Sequence, residues 1–546
     1  MRFWEGAGSS LAAQEHADDR LLRRADWRFL LPRPHPVKSV CFARGELARA
    51  VEHISRQMVD PTQAAGAGCD LAVTVNPDDE TLRAAWDAIC PGGALYAEWP
   101  SPMVGSRRRV RVRLETVGFE EVRCYRPWPW SSHAPARLWL PLDVPGALQY
   151  VLGPPREGVT TRQGLRSALR RLFWVLVSRV GCLLPLCVTA QKPIKQADHL
   201  ALDNGSGADT DREAGLLDTI RAGWTDWGLG SVPERFSLLF LTGGPRSISK
   251  VVGLLFADGD SAPRLAVKMP RVPEAVPGLS REAEVLRAIN AARPGGIAGT
   301  PRVLFCQEQA GLLMLGETAL TGAHLSTVLR RHNYRHLAMV ATRWLAELAG
   351  RSEWLAPSAW RGRLIEPVVS DFHESFGSVL DPVMLQETAD ILATLGPLPL
   401  VCEQRDFAPW NVLFDSKGDL VVLDWESAEL NGLPAVDLIY FLSYLAFFLD
   451  GAMHSGSFAE SYRNTLDSRT FTGAVQKECL DQYMSQTGID ARALHPLRLL
   501  TWMLHSRSEY REFVADSGGR PTPDVLRRSV FAALWAEELR SGARRS

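Results

Sequence analysis

The sequence carries almost no net charge: 61 Lys and Arg stand against 62 Asp and Glu over 546 residues, a balance of −1 at pH 7. Binding a bulk polyanion needs a strong basic excess, so nucleic acid is not an expected partner. The nine cysteines include no Cys-x-x-Cys pair, and no histidine cluster accompanies them. Neither a zinc site nor a disulfide framework is expected; buried thiols in a reducing compartment are. The opening residues Met1–Arg20 lack a basic start followed by an apolar core, so a secretory signal is not expected and a cytoplasmic protein is. No repeat at a fixed period and no long low-complexity tract is present. What is there is globular in composition, 46% hydrophobic and 23% charged. At roughly 100–200 residues per domain, the length implies more than one domain.

The polar, aperiodic stretch Asp203–Glu213 reads as an exposed linker. The expected organisation is an N-terminal extension over 1–35, an α/β domain over 36–197, a linker over 198–215 and a second domain over 216–546. In the first domain, Val37–Phe42, Leu71–Val75, Ala94–Glu98 and Phe119–Tyr125 have strand composition. Glu80–Ile89 and Arg109–Val117 have helical spacing. Alternation of this kind predicts a parallel sheet with helices on its faces.

The phrases CDLAVTVNPDDETLRAAWDAICPGGALYAEW and LETVGFEEVRCYRPWP, with a last edge strand at Cys187–Lys192, resemble the later half of a class I methyltransferase domain. That resemblance implies a Rossmann-like fold over about Pro36–Pro193. The earlier half departs from it. The first strand is followed by Ala43-Arg44-Gly45-Glu46, with one glycine where S-adenosylmethionine needs close backbone approach, and Asp60 is the sole acidic candidate at the second strand's end. S-adenosylmethionine is therefore not expected as a cofactor.

The stretch 161–186 is basic and apolar, with Arg162, Arg166, Arg170, Arg171 and Arg179 set among Leu165, Leu169, Phe173 and Trp174. It suits an in-plane membrane helix, and equally a helix pair capping the domain. Spanning is disfavoured, because a central Arg179 would cost about 2.5–3.5 kcal/mol on insertion scales. The expectation is a peripheral membrane contact or none.

The strongest chemical signal is Val401–Glu426, VCEQRDFAPWNVLFDSKGDLVVLDWE. Strand-like runs flank the turn Asp415–Gly418, and a hairpin centred near Lys417 sets Asn411 opposite Asp424 at its open end. Asp406 lies on the loop feeding that hairpin. Two carboxylates and an amide oxygen converging in this way are hard ligands of the type Mg²⁺ takes.

The run D-F-A-P-W-N followed by L-D-W-E resembles the catalytic core of the aminoglycoside phosphotransferase and choline kinase group, which has the two-lobed protein-kinase-like fold. The resemblance implies that Asp406 is the catalytic base, that Asn411 and Asp424 bind metal, and that Asp437 braces the catalytic loop. It also implies that Lys268, in Leu265-Ala266-Val267-Lys268, reaches the nucleotide phosphates. Glu282, on a Ser-capped helix Ser280–Ile289, would pair with Lys268, with Glu284 as the alternative. Gly243 and Gly244 would form a phosphate-covering turn. Leu313–Glu317 would join the lobes and present backbone to an adenine edge. Gln404 stands where the group has a supporting histidine. Trp425-Glu426 after the metal-binding Asp, with no A-P-E-like segment downstream, disfavours a protein acceptor.

The expected fold class is thus multidomain α/β and α+β, a Rossmann-like methyltransferase-type domain followed by a two-lobed protein-kinase-like domain. The expected function is transfer of phosphate from ATP or another nucleoside triphosphate, with Mg²⁺, to a hydroxyl of a small molecule, lipid or glycan. Two other readings stand beside it: a non-catalytic pseudoenzyme scaffold, and a bifunctional methyltransferase–kinase acting on a surface or lipid-linked glycan.

Overall fold

Short aliphatic runs bounded by turn residues dominate the chain up to residue 318, and helical spacing dominates after it. The architecture follows that change. The structure, a computed structural model, describes residues 17–100, 107–129, 135–152, 185–194, 216–244, 249–293, 296–350, 353–415, 417–517 and 519–543. The expected linker over 198–215 lies outside the described residues, as does 161–184 of the basic apolar stretch. Two compact units result, one comprising Glu15–Leu279 with Val303–Ala319, the other Ser280–Arg302 with Leu320–Ser546.

The first unit is built on β1 (Lys38–Cys41), β2 (Gln57–Val59), β3 (Cys69–Val75), β4 (Ile89–Trp99), β5 (Glu120–Trp128), β6 (Leu138–Pro141), β7 (Leu186–Gln191), β8 (Phe236–Leu241), β9 (Val251–Ala257), β10 (Leu265–Met269), β11 (Val303–Gln309) and β12 (Leu312–Thr318). All twelve join one sheet in the order β11-β12-β10-β9-β8-β6-β5-β7-β4-β3-β1-β2. The run β2-β1-β3-β4 is parallel, as strand–helix alternation predicts. The last strand expected at the edge is instead internal: β7 runs antiparallel between β4 and β5. Its residues Leu186–Ala190 are buried, and its backbone has a hydrogen-bonding neighbour on each side.

The two halves of this sheet meet at β6 and β8, where Leu138 pairs with Leu241 and Trp139 with Phe240. One core therefore runs along one sheet face, from Cys41, Val73 and Tyr96 through Trp139 and Phe240 to Val267 and Met314. The opposite face of β1, β3, β4 and β7 packs Val40, Ala72, Leu95 and Val188 against Leu82, Ala85, Val110 and Leu114. These last four sit on the helices Asp79–Ala88 and Arg107–Val117, the first capped by Asp78 accepting from Thr81 N–H.

Residues read from sequence as an extension enter the same core. The helix Ala17–Arg24 and the 3₁₀ turn Asp26–Leu30 bring in Trp27, Phe29 and Leu31. Trp27 stacks on Tyr96 with ring centres 4.0 Å apart and planes 6° from parallel.

The second unit is mostly helical. Short strands β13 (Ala323–His324), β14 (Trp354–Leu355), β15 (Leu398–Pro399), β16 (Val401–Glu403), β17 (Val412–Phe414), β18 (Leu420–Val422) and β19 (Glu429–Gly432) form three small sheets, β13-β17-β18, β14-β15 and β16-β19. The helix Val436–Asp450 is buried along twelve consecutive residues from Val436 to Phe447, which explains a sequence apolar all round. The helical stretch expected over Val525–Leu539 is interrupted, stopping at Leu526 and resuming at Val530. Buried Ser529 accepts from Ala532 N–H there and caps the new helix.

No disulfide joins the eight cysteines among the described residues, and no group of three or more His, Cys, Asp or Glu there is placed to hold a metal. No helix among those residues is long and apolar enough to cross a membrane. Trp27 is fully buried. Trp27→Ala is expected to destabilise the sheet-bearing unit by about 3–5 kcal/mol, read as a lowered denaturant midpoint; an unchanged midpoint would mean that residues 17–31 are not part of its core.

Candidate active site

The register of the β17–β18 hairpin decides what can face what. Val412 pairs with Val422, Leu413 with Val421 and Phe414 with Leu420. One step further Leu423 N–H donates to Asn411 O at 2.9 Å. Asn411 thus faces Leu423, and Asp424 lies one residue beyond the position expected for it. The shift coincides with Asp424 adopting a left-handed backbone, φ 65°.

Asp406 is fixed by its neighbours. Asn411 Nδ2 donates to Asp406 Oδ2 at 2.7 Å and to its carbonyl at 3.0 Å. The amide oxygen of Asn411 remains, which is the atom a hard cation takes. Burial pushes the Asp406 carboxyl well above the usual carboxylate range, and the Asp424 carboxylate adds to the effect.

Gln404 ties the loop to the hairpin. Its Oε1 accepts Asp406 N–H at 2.8 Å, while Nε2 donates to Leu423 O at 3.1 Å and to Asp424 O. Both ends of the side-chain amide are used, which a residue in this position must be able to do. Asp437, in the first turn of the helix Val436–Asp450, accepts Gln404 N–H at 2.6 Å and Arg405 N–H at 2.9 Å. Of the six non-glycine residues with positive φ among those described, Arg405, Asp424 and Ala435 are in this cluster. Left-handed backbone costs on the order of 1–3 kcal/mol each and persists only where the surroundings over-determine it.

Glu282 is fully buried on the helix Val276–Ala292 and accepts Trp425 N–H at 2.9 Å, next to Asp424. That helix starts before the expected Ser280 cap, because Pro277 is tolerated in a first turn where no N–H partner is lost.

In the sheet-bearing unit, Lys268 on β10 is ion-paired to Glu317 on β12 at 2.6 Å. The register sets Lys268 opposite Leu315, so Glu317 is the diagonal neighbour on the same face. The expected joining segment Leu313–Glu317 forms an inner strand between β10 and β11. Sheet pairing takes up its backbone, and what Glu317 offers is its carboxylate. Gly243 and Gly244 follow Thr242, the first residue after β8. A Cβ on Gly244 would lie 2.2 Å from Ser249 Cβ, so the turn is closed to any side chain there.

Sequence reading did not single out the aromatic group around Asp406. Tyr440 stacks on His505 with centres 3.6 Å apart, and Trp410 meets Tyr444 edge-on at 5.0 Å. Burial holds His505 neutral, its imidazole pushed down to about 3. The density of aromatics after Asp437 was the signal; their pairing with a helix sixty residues on was not readable.

Residues 254–469 match the phosphotransferase enzyme family. Comparison with curated proteins finds no match. Among solved structures, the chain is similar to an aminoglycoside phosphotransferase from Alicyclobacillus acidocaldarius, with 14% identity and a TM-score of 0.32 over 54% of this chain and 90% of that one. It is also similar to one from Streptomyces rimosus, with 14% identity and a TM-score of 0.31 over 53% and 96%. A third, in ternary complex with ADP and hygromycin B, gives 15% identity and a TM-score of 0.30 over 54% and 94%.

The carboxylates beneath the loop titrate in an unusual range. Burial raises Glu403 to about 7 against the opposing Arg405 guanidinium, and raises Asp437 to about 6 against its two backbone donors. A carboxyl raised on folding favours the protonated native state, so its stability contribution is complete below about pH 4 and is lost as pH rises through about 6 to 7. The unfolding free energy from urea titration is expected to fall between about pH 5 and about pH 8, by on the order of 2 kcal/mol, and to fall less in Glu403→Gln. Equal slopes in both proteins would refute the assignment.

Proposed function

We propose that this chain transfers a phosphoryl group from ATP or another nucleoside triphosphate, with Mg²⁺, to a hydroxyl of a small molecule, lipid or glycan. The observation that carries the reading is the Asp406 carboxylate held by Asn411 and tied through Gln404 to the Asp424 backbone. The phosphotransferase family match over residues 254–469 supports it. Asp406 accepts the proton of the acceptor hydroxyl as its oxygen attacks the γ-phosphorus and the nucleoside diphosphate leaves. Asn411 and Asp424 would hold Mg²⁺, which when bound would supply charge neutralisation on the phosphate oxygens. Lys268, held by Glu317, is assigned to the phosphates, and Gly243 and Gly244 to the turn that covers them. Glu282, Gln404 and Asp437 hold the backbone on which the other residues sit.

A lipid or lipid-linked acceptor has support from the basic apolar composition of 161–186, which also favours peripheral membrane contact by a cytoplasmic enzyme.

A second reading concerns residues 36–197, which we infer to be methyltransferase-like in fold without methyl transfer. The parallel run β2-β1-β3-β4 supports the first part. For the second, the acidic groups near the strands' carboxyl ends are taken by the protein itself. Glu46 accepts from Arg20 at 2.6 Å, Glu98 from Arg24 at 2.8 Å and Asp60 from Thr62 N–H at 2.8 Å. Calorimetric titration with S-adenosylmethionine is expected to give no measurable heat; tight binding would overturn this reading and favour a bifunctional enzyme.

The kinase reading is tested by a screen of hydroxyl acceptors with ATP and Mg²⁺. Asp406→Asn is expected to lower turnover by about 10²–10⁴-fold while nucleotide still binds. Asp424→Ala is expected to abolish Mg²⁺-dependent nucleotide binding. No nucleotide binding by the wild type would remove the reading and leave the scaffold.

A further inference from the structure

The turn at Gly243-Gly244 is held by residues far from it in sequence, all within the sheet-bearing unit. Thr242 N–H donates to Arg137 O at 2.9 Å, and Thr242 Oγ1 donates to Ala136 O at 2.7 Å. From below, the guanidinium of Arg271 reaches Thr242 O at 3.3 Å and Gly244 O at 3.4 Å. Arg271 follows β10, three residues after Lys268. Its two carbonyl contacts are long, so the guanidinium's place has to be set by something stronger.

That partner is Asp26, from the N-terminal 3₁₀ turn. Arg271 Nε lies 2.8 Å from Asp26 Oδ1 and Nη2 lies 3.0 Å from Oδ2, a bidentate fork. Both side chains are 0% exposed. Arg28 Nη2 then donates to Arg271 O at 2.9 Å, closing the arrangement on the backbone side. Arg28 Nη1 also lies 3.9 Å from Asp26 Oδ1. A buried carboxylate facing a guanidinium that also serves two turn carbonyls resists rearrangement, because moving the guanidinium strands carbonyls in the core.

We propose that Asp26 and Arg271 are positioning residues for the phosphate-covering turn, so that the N-terminal segment sets how firmly the nucleotide phosphates are gripped. This rests on the phosphotransferase reading for its consequence, though not for its geometry. Neither residue touches reacting atoms. Their effect passes through the carbonyls of Thr242 and Gly244, and it acts on nucleotide binding rather than on proton transfer at Asp406.

The test uses the full-length chain with Asp26→Asn and Arg271→Lys. The second variant keeps a cation for Asp26 and loses the fork that reaches the turn. Amide hydrogen exchange over residues 238–244 is expected to rise in both variants while β3 and β4 stay protected. The KM for ATP is expected to rise about tenfold with kcat at saturating ATP unchanged. Unchanged exchange at the turn in both variants would overturn the proposal, as would a kcat loss at constant KM. Loss of protection throughout the unit in both would equally overturn it, since the pair would then serve stability alone. If the wild type turns over no nucleotide, the kinase reading fails, and the exchange measurement still decides whether the pair holds the turn.

Discussion

The side-chain amide of Gln404 is the joint on which the candidate site depends. It takes the N–H of Asp406 on one side and gives protons to the carbonyls of Leu423 and Asp424 on the other. The loop bearing one carboxylate and the strand end bearing the other are thereby held in one frame. A hydrocarbon side chain of equal size would leave three backbone groups unsatisfied, each at about 1–3 kcal/mol. Asp437 then fixes the loop from beneath through two more backbone N–H groups. Under the proposed function the chemistry falls to Asp406, Asn411 and Asp424, which this frame carries.

This division explains why so much of the site was legible. The order and spacing of Asp406, Asn411 and Asp424 is a local property, since one hairpin sets it. Turn residues at Asp415–Gly418 fix the register of such a hairpin to within a residue. The error of one position at Asp424 is a difference in the turn's centre, carried unchanged along the register to Asn411 and Leu423. Glu317 shows a relation that is not local. As a residue on a sequence segment it looked like connecting chain, and only the diagonal neighbour relation across β10 and β12 makes it the partner of Lys268. Tyr440 against His505 is likewise a contact between helices far apart in sequence.

The fold was legible in its pieces and not in its assembly. Strand composition marked β1, β3 and β5 near their observed bounds and caught only the second half of β4. Nothing local marks that β6 and β8 pair, or that β7 enters between β4 and β5. Strand pairing at long range is decided by which faces remain uncovered once the helices have packed, and a polar stretch such as Asp203–Glu213 is a reason to expect separation where the strands on either side of it are in one sheet. The near-neutral total charge hid a similar arrangement, since Asp26 and Arg271 cancel in the sum while lying fully buried together.

The β6–β8 pairing also has a consequence during synthesis. β6 leaves the ribosome roughly a hundred residues before β8 does, at chain growth of about 5–20 residues per second. For those seconds the early strands have a core face and an open edge together, with Leu138 and Trp139 lacking the partners they will later have. An edge of that kind pairs readily with another nascent chain. The arrival of β8 closes that edge, and the length of chain between the two strands sets how long it stays open.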